Sequence, residues 1–454
     1  MRGDGMSTSK ATTRLMTGAV VGALVTALLA VAPASGAAVR AGAVGAAGTA
    51  STFGKAVELP APPQSPATGR ADSLDTVSCA QPSWCGAGGA YFDKDGNLQP
   101  MVTAQVRGHW TRPAELQLPD NRATVEESGV NGIACPSAGN CVAVGSYVYS
   151  SGSGRFTAFI AADVSGTWRP AFEPWLPANT AEPAFAELSG VSCTALRNCT
   201  AVGWYFDAAG NQQLMVITES NGTWGRAKEI AAPTNAASPV SAVATGISCY
   251  RGGDCVAVGG DTSRSGQFLP LTFKESAGVW HRATAVLLPA KAAAGTLQSA
   301  PLDSVSCATT GACLAVGNYL TGSRYRPMAV SGSKGLGARA AEVTALPTAA
   351  GRDPYQSLLF AVSCVSASSC FAAGQVSQKN AQPFYAMSLQ WQRGHWGGAQ
   401  VIAAPGATAK NSKYQDAQLW SLSCYRTGYC VTVGEYDYKA SLDLNGASMA
   451  AVRA

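Results

Sequence analysis

Leu188-Ser-Gly-Val-Ser-Cys193, a five-residue polar turn, and Cys199-Thr-Ala-Val-Gly-Trp-Tyr205 are the stretch from which the fold is read. Apolar and small residues alternate up to a first cysteine. A turn follows, and a second strand leaves the second cysteine. The turn Ala209-Gly-Asn211 then leads to a third strand, Leu214-Met-Val-Ile-Thr218. Gly222-Thr-Trp224 makes another tight turn and opens a fourth.

This unit recurs seven times. All 14 cysteines fall into C-x5-C pairs: Cys79 with Cys85, Cys135 with Cys141, Cys193 with Cys199, Cys249 with Cys255, Cys307 with Cys313, Cys364 with Cys370, and Cys424 with Cys430. The first cysteines are 56, 58, 56, 58, 57 and 60 residues apart, which marks a structural repeat with one disulfide per unit. Zinc is the alternative use of paired cysteines. It wants four ligands, usually at closer spacing, and each pair here lacks a nearby His or second pair. A disulfide closing so short a loop contributes about 2–2.5 kcal/mol by chain entropy.

The other parts repeat as well. Leu302-Asp-Ser-Val-Ser-Cys307 and Leu419-Trp-Ser-Leu-Ser-Cys424 match the quoted first strand. Gly108-His-Trp110, Gly166-Thr-Trp168, Gly278-Val-Trp280 and Gly394-His-Trp396 match the last turn; the fifth repeat has Gly337 in place of the Trp. Fourth strands end near Leu-Pro, where proline stops the ladder at an edge.

Four short antiparallel strands, repeated seven times, predict an all-β, seven-bladed β-propeller. The last repeat reaches only a third strand, near 449–454. Thr52-Phe-Gly-Lys-Ala-Val-Glu-Leu59 aligns without a gap to Thr223-Trp-Gly-Arg-Ala-Lys-Glu-Ile230. The propeller is therefore expected over 51–454, with 51–60 supplying the fourth strand of the last blade and closing the ring.

Composition agrees. The chain has 454 residues, 47% hydrophobic and 13% charged, enough apolar content for a large core and against a disordered chain. The net charge of +5 includes +2 from residues 1–38, and no Lys/Arg cluster occurs, which excludes a nucleic-acid partner. Arg2, Lys10 and Arg14 precede an uncharged apolar run at 19–32, and small residues follow. This order predicts a signal peptide at 1–38, then a flexible Ala/Gly leader at 39–50. The run is shorter than the roughly 20 residues of a membrane span. A secreted, extracellular, monomeric protein without membrane anchor or cofactor is expected.

In such a ring the cysteine turns and the Gly-x-Trp turns share one face. The second-to-third loops and the inter-blade connections (120–129, 178–190, 233–246, 289–303, 347–360 and 405–419) share the other. Binding is expected on that loop face. The inner strands present Asp75, Asn131, Ser189, Thr245, Asp303, Phe360 and Trp420 at one matched position. The columns beside it are small: Thr76, Gly132, Gly190, Gly246, Ser304, Ala361 and Ser421, then Ser78, Ala134, Ser192, Ser248, Ser306, Ser363 and Ser423. Tight packing near the axis accounts for them. The functional reading takes Asp75 and Asp303 as a carboxylate pair or ion site, which requires a narrow channel. Trp175, Trp204 and Tyr355 have no evident repeat counterpart and are the aromatic binding candidates.

No catalytic or metal constellation emerges. His109, His281 and His395 lie beside Gly-x-Trp turns of separate blades, where they cannot form a triad or metal cluster. Asp93-Lys-Asp-Gly-Asn97 looks like a calcium loop but lacks its distant Glu, so a hairpin turn is the better reading. Tyr91, Tyr147, Tyr205, Tyr319 and Tyr436 recur in the second strands and are read as packing between blades.

The turn Glu219-Ser-Asn-Gly-Thr-Trp224 resembles a degraded Asp-box of sialidase-like propellers. That resemblance implies the fold; the activity would need an arginine cluster, and the inner columns contain no Arg. The layout is also similar to exported seven-bladed propellers of the dispase autolysis-inducing type from high-GC bacteria. This implies a protease or transglutaminase as partner, with Gln64, Gln99, Gln212, Gln298, Gln356 and Gln415 as acyl-donor candidates. The expected function is a secreted, non-enzymatic interaction protein that binds an extracellular protein or a polysaccharide by the loop face. The alternatives are a carbohydrate-active hydrolase or lyase, and a structural wall or sheath component.

Overall fold

The structure, a computed structural model, describes residues 52–66, 71–123, 127–149, 155–292, 298–347, 354–377, 383–406, 416–425, 428–437 and 446–453. The expected signal peptide and leader, and Gln415, lie outside them.

Seven antiparallel sheets form the seven blades, each ordered inner, second, third, outer. In blade three these strands are Ala186–Ala195, Asn198–Phe206 and Gln212–Ser220, with an outer strand broken into Thr223–Trp224 and Lys228–Ile230. In the seventh sheet Val57–Glu58 pairs with Gly446–Arg453, setting Val57 opposite Ala450 and Glu58 opposite Met449. The ring closes as the alignment predicts. The Ala56 N–H donates to the Ala403 carbonyl of blade six at 3.0 Å. The Gln400 side chain brackets the Phe53 backbone, accepting its N–H at 3.0 Å and donating to its carbonyl at 2.6 Å.

The core is divided among the seams. Seven apolar clusters occur, one for each pair of adjacent blades. Between blades three and four, Val202, Leu214 and Val216 meet Ala257, Leu271 and Phe273. Each strand puts alternate residues toward each neighbour, so both faces of a blade are buried and its strands read as nearly continuous apolar runs.

All seven C-x5-C pairs form disulfides, each joining the inner strand of a blade to its second strand. In six blades the two cysteines are direct cross-strand partners: Cys79 with Cys85, Cys193 with Cys199, Cys249 with Cys255, Cys307 with Cys313, Cys364 with Cys370, and Cys424 with Cys430. In blade two the register shifts between Ala134 and Ser137, so the bonded Cys135 and Cys141 are not ladder partners. Among the Gly-x-Trp turns, Asn221 and Gly222 have φ of 51° and 85°, a left-handed pair suited to a two-residue hairpin.

Candidate functional site

Every inner strand slips register at one shared place ahead of its first cysteine. The slip falls between Leu74 and Thr76 in blade one, between Leu302 and Ser304 in blade five, and correspondingly in the other five. A bulge drops one residue out of the ladder and re-aims its side chain. The second-strand residue across from the bulge is glycine in all seven blades. A Cβ at Gly203 would stand 1.9 Å from the Glu187 carbonyl oxygen, and one at Gly434 would stand 1.9 Å from that of Gln418.

The bulged residues are Asp75, Asn131, Ser189, Thr245, Asp303, Phe360 and Trp420. Together they ring one axial cavity of about 150 Å³ near the loop-face ends of the inner strands. Asp75 and Asp303, from non-adjacent blades, thus border the same space. The wall is uneven. Phe360 and Trp420 lie side by side with ring centroids 4.8 Å apart, and the other five members are polar. Two of these brace the next blade: Asn131 Nδ2 donates to the Leu188 carbonyl at 3.1 Å, and Thr245 Oγ1 to the Leu302 carbonyl at 2.6 Å. Asp75 Oδ1 accepts the Ser73 hydroxyl at 2.6 Å. Asp303 Oδ2 accepts Asn318 Nδ2 at 2.8 Å, and Asn318 also clamps the Leu359 backbone of blade six. Burial pushes the Asp303 carboxyl up to about 8, against the opposing hydrogen bond from Asn318.

The small columns do more than pack. Ser78, Ser192, Ser248, Ser306, Ser363 and Ser423 each accept, through Oγ, the backbone N–H of the first cysteine in the next blade, at 2.9–3.0 Å. In the other column Thr76, Ser304 and Ser421 do the same for Ile133, Val362 and Val77. Gly132 has no room for a side chain, since its Cβ would come within 2.9 Å of Gly190 Cα.

Of the aromatic candidates, Trp204 and Tyr355 lie toward the loop face. The Tyr355 N–H donates to the carbonyl of Ser377 at the end of a second strand. Trp175 stands elsewhere, and it does have repeat counterparts. Its carbonyl accepts the Ala227 N–H of the next blade's outer strand, as those of Gln117, Ala231, Leu287 and Ala403 accept theirs. Trp175 is therefore on the circumference, 69% exposed, with the Arg226 guanidinium 5.9 Å from its ring. Trp204 also has counterparts in the second strands: Ala90, Ser146, Gly260, Asn318, Gln375 and Glu435. The three aromatic candidates do not form one patch.

Trp204 instead belongs to a group that the sequence reading misses. Phe185 packs edge-on to it with centroids 5.3 Å apart, and stacks on Phe206 at 5.2 Å and on Phe156 at 6.0 Å. The signal available is spacing: Trp204 and Phe206, two apart on a strand, share a face. Glu187 is missed too. It is 7% exposed, opposite Trp204 in register and two residues before Ser189 of the ring. Burial pushes its carboxyl up to about 8, opposed by hydrogen bonds from Ser189, Trp204 and Ser146. Its column holds Ser73, Gly129, Val243, Leu358 and Gln418 in other blades, so no repeated type draws attention to it.

The calcium-like loop is a turn held by its own aspartate. Asp93 Oδ1 accepts the N–H groups of Asp95 and Asn97, and Oδ2 accepts the Asn97 and Gln99 side-chain amides. Burial raises the Asp93 carboxyl, but these bonds together hold it below its ordinary value. No metal-holding group of three or more His, Cys, Asp or Glu occurs among the described residues. Among the glutamines, Gln99 and Gln298 are 7% and 4% exposed and tied by hydrogen bonds, which removes them as acyl donors.

No protein-family model matches the chain, and no curated protein matches it in sequence. Solved structures resemble it at low identity. A Trypanosoma rangeli sialidase in complex with sialic acid is 10% identical with a TM-score of 0.42; 75% of this chain is covered but only 55% of the sialidase, so the chain spans about half of that protein. A Dyadobacter fermentans protein of unknown function is 8% identical with a TM-score of 0.47, over 88% of this chain and 98% of that one. A polysaccharide lyase, an ulvan lyase, is 10% identical with a TM-score of 0.48, over 88% and 94%.

Proposed function

We propose that this protein is a secreted, non-enzymatic binding protein that holds a polysaccharide at the loop-face mouth of its axial cavity. The observation that carries this reading is the divided wall, with Phe360 and Trp420 on one side and Asp75, Asn131, Ser189, Thr245 and Asp303 on the other. A sugar ring has an apolar C–H face for an aromatic platform and hydroxyl edges for carboxyls and hydroxyls. At about 150 Å³ the cavity is below the roughly 300–1,000 Å³ of drug-sized sites, so it suits one ring or a chain end. The seven disulfides are consistent with an oxidising, extracellular setting.

The test is retention of soluble polysaccharides by immobilised protein spanning residues 39–454. At least one glycan should be retained, and the Phe360→Ala, Trp420→Ala double variant should weaken it by about tenfold or more while melting cooperatively. If culture fluid of the producing organism instead yields one saturable protein, lost on Trp204→Ala and Tyr355→Ala, and no glycan is held, the partner is a protein.

One observation favours a hydrolase or lyase as second reading. A carboxyl that keeps its proton near neutral pH, Asp303, shares the cavity with a second carboxyl, Asp75, and a protonated carboxyl can act as a general acid. Release of new chain ends from the retained glycan, abolished by Asp303→Asn with binding kept, would establish it.

A further inference from the structure

We propose that the seam between blades three and four carries a second binding site, on the cysteine-turn face, for an acidic saccharide. It lies on the opposite face of the ring from the axial mouth and stands independently of the function proposed there.

The seam between blades seven and one shows how this level of the ring can be filled. There Tyr429, just before the second cysteine of its blade, donates its hydroxyl to Gln105 Oε1 at 2.7 Å. In the seam between blades three and four the corresponding residues are Asn198 and Glu275. Glu275 pairs with Cys255 as Gln105 pairs with Cys85. Asn198 does not reach across. Its Nδ2 donates to the Leu196 carbonyl at 3.1 Å, and its Oδ1 accepts the Asn221 N–H at 3.3 Å, so it is spent on its own turns. A groove of about 730 Å³ remains, within the range of small-ligand sites.

The groove is floored by groups that lack hydrogen-bond partners. Glu275 is 7% exposed, and its carboxyl accepts no hydrogen bond among the described residues. It faces blade three, because Phe273, two residues earlier on the strand, packs into that seam. Its cross-strand neighbour Trp280 has a buried indole N–H without an acceptor. Thr200 and Thr218 line the groove from blade three, and the exposed Lys228 and Arg251 stand at its rim.

These groups select a ligand class. A buried carboxylate wants a hydroxyl or N–H donor, the indole wants an acceptor, and a threonine hydroxyl can serve as either. An apolar ligand would leave Glu275 and the indole unsatisfied, at a cost. A cationic ligand would meet Lys228 and Arg251 at the entrance. A polyhydroxylated ring bearing a carboxylate satisfies the floor and the rim together.

Titration calorimetry of the protein with tetragalacturonate, and with its methyl ester as uncharged control, tests the site. We expect saturable binding of the acid, weaker by about tenfold in Lys228→Ala and in Arg251→Ala, and weaker by a similar factor for the ester. Both substitutions are at exposed positions and should leave the melting temperature unchanged. Glu275→Gln, the residue type that blade one carries at this position, should also weaken binding without unfolding the blade. The Phe360→Ala, Trp420→Ala variant should bind tetragalacturonate as the wild type does. No binding at millimolar tetragalacturonate, equal binding of acid and ester, or loss of binding in the axial variant would each overturn the proposal.

Discussion

Around the axis, single hydroxyls join one blade to the next. Six inner strands carry serine at the position whose Oγ accepts the first-cysteine N–H of the following blade. Blade two carries Ala134 instead, so no such serine serves Cys193. A buried backbone N–H without a partner weakens the native state, and a made hydrogen bond contributes about 1 kcal/mol. Ala134→Ser should therefore stabilise the protein by about 1 kcal/mol, and Ser78→Ala should destabilise it by a similar amount. Urea unfolding followed by tryptophan fluorescence reads both. If neither shifts the midpoint, the serines are filling space and the bonds are incidental.

At the scale of strands, a second recurring contact ties the second strand to the outer one. Tyr91, Tyr147, Tyr205 and Tyr436 donate their hydroxyls to Glu115, Glu173, Glu229 and Glu58 at 2.5–2.9 Å. In blade five Tyr319 faces Glu342, and burial with that carboxylate pushes the phenol up to about 12. Blades four and six lack both partners together, with Asp261 and Ala285 in one and Val376 and Val401 in the other. Joint presence or absence within one chain points to a functional pair rather than two separate preferences. A double-mutant cycle of Tyr205→Phe and Glu229→Gln should give a coupling of about 1–2 kcal/mol, and additive single effects would refute the clasp. The tyrosines are legible in the sequence as packing. Their partners are partly so, since Glu58 and Glu229 already align in the two fourth strands that fix ring closure. The cysteine pairs are legible in full, because a fixed spacing of two reactive residues survives every change in the residues between them. The bulges are not legible, because a slip shared by all seven repeats leaves their spacing unchanged. The sequence places Asp303 and Trp420 in one inner-strand column, but it does not show the bulge that turns that column toward the axial cavity. Trp175 and Trp204 mislead for the converse reason. Each is an indole at a position that other blades fill with a smaller or a polar residue, so the repeat hides their counterparts.

At the scale of the whole ring, the seams bury carboxyls that have too few partners. Burial pushes Asp303 and Glu187 up to about 8 and Asp261 to about 7, and it raises Asp163, Glu219, Glu275 and Asp416 as well. In an unfolded chain these groups titrate near 4. Between about pH 4 and the folded values of 7 to 8, the folded ring holds protons that the unfolded chain has released. Stability must then fall as pH rises through that window. Asp93 and Asp207 act in the other direction. Their turns hold them below the ordinary value despite burial, so their contribution is present above about pH 4 and lost below it. The two sets together place maximum stability at mildly acidic pH. Calorimetry should show a melting temperature several degrees higher at about pH 5.5 than at about pH 8.5. The Asp303→Asn, Glu187→Gln double variant removes two of the raised carboxyls while keeping their shape, so its melting temperature should depend less on pH across the same interval. A wild-type melting temperature that rises toward pH 8.5, or parallel slopes for the two proteins, would mean that these carboxyls ionise freely and that water reaches the seams.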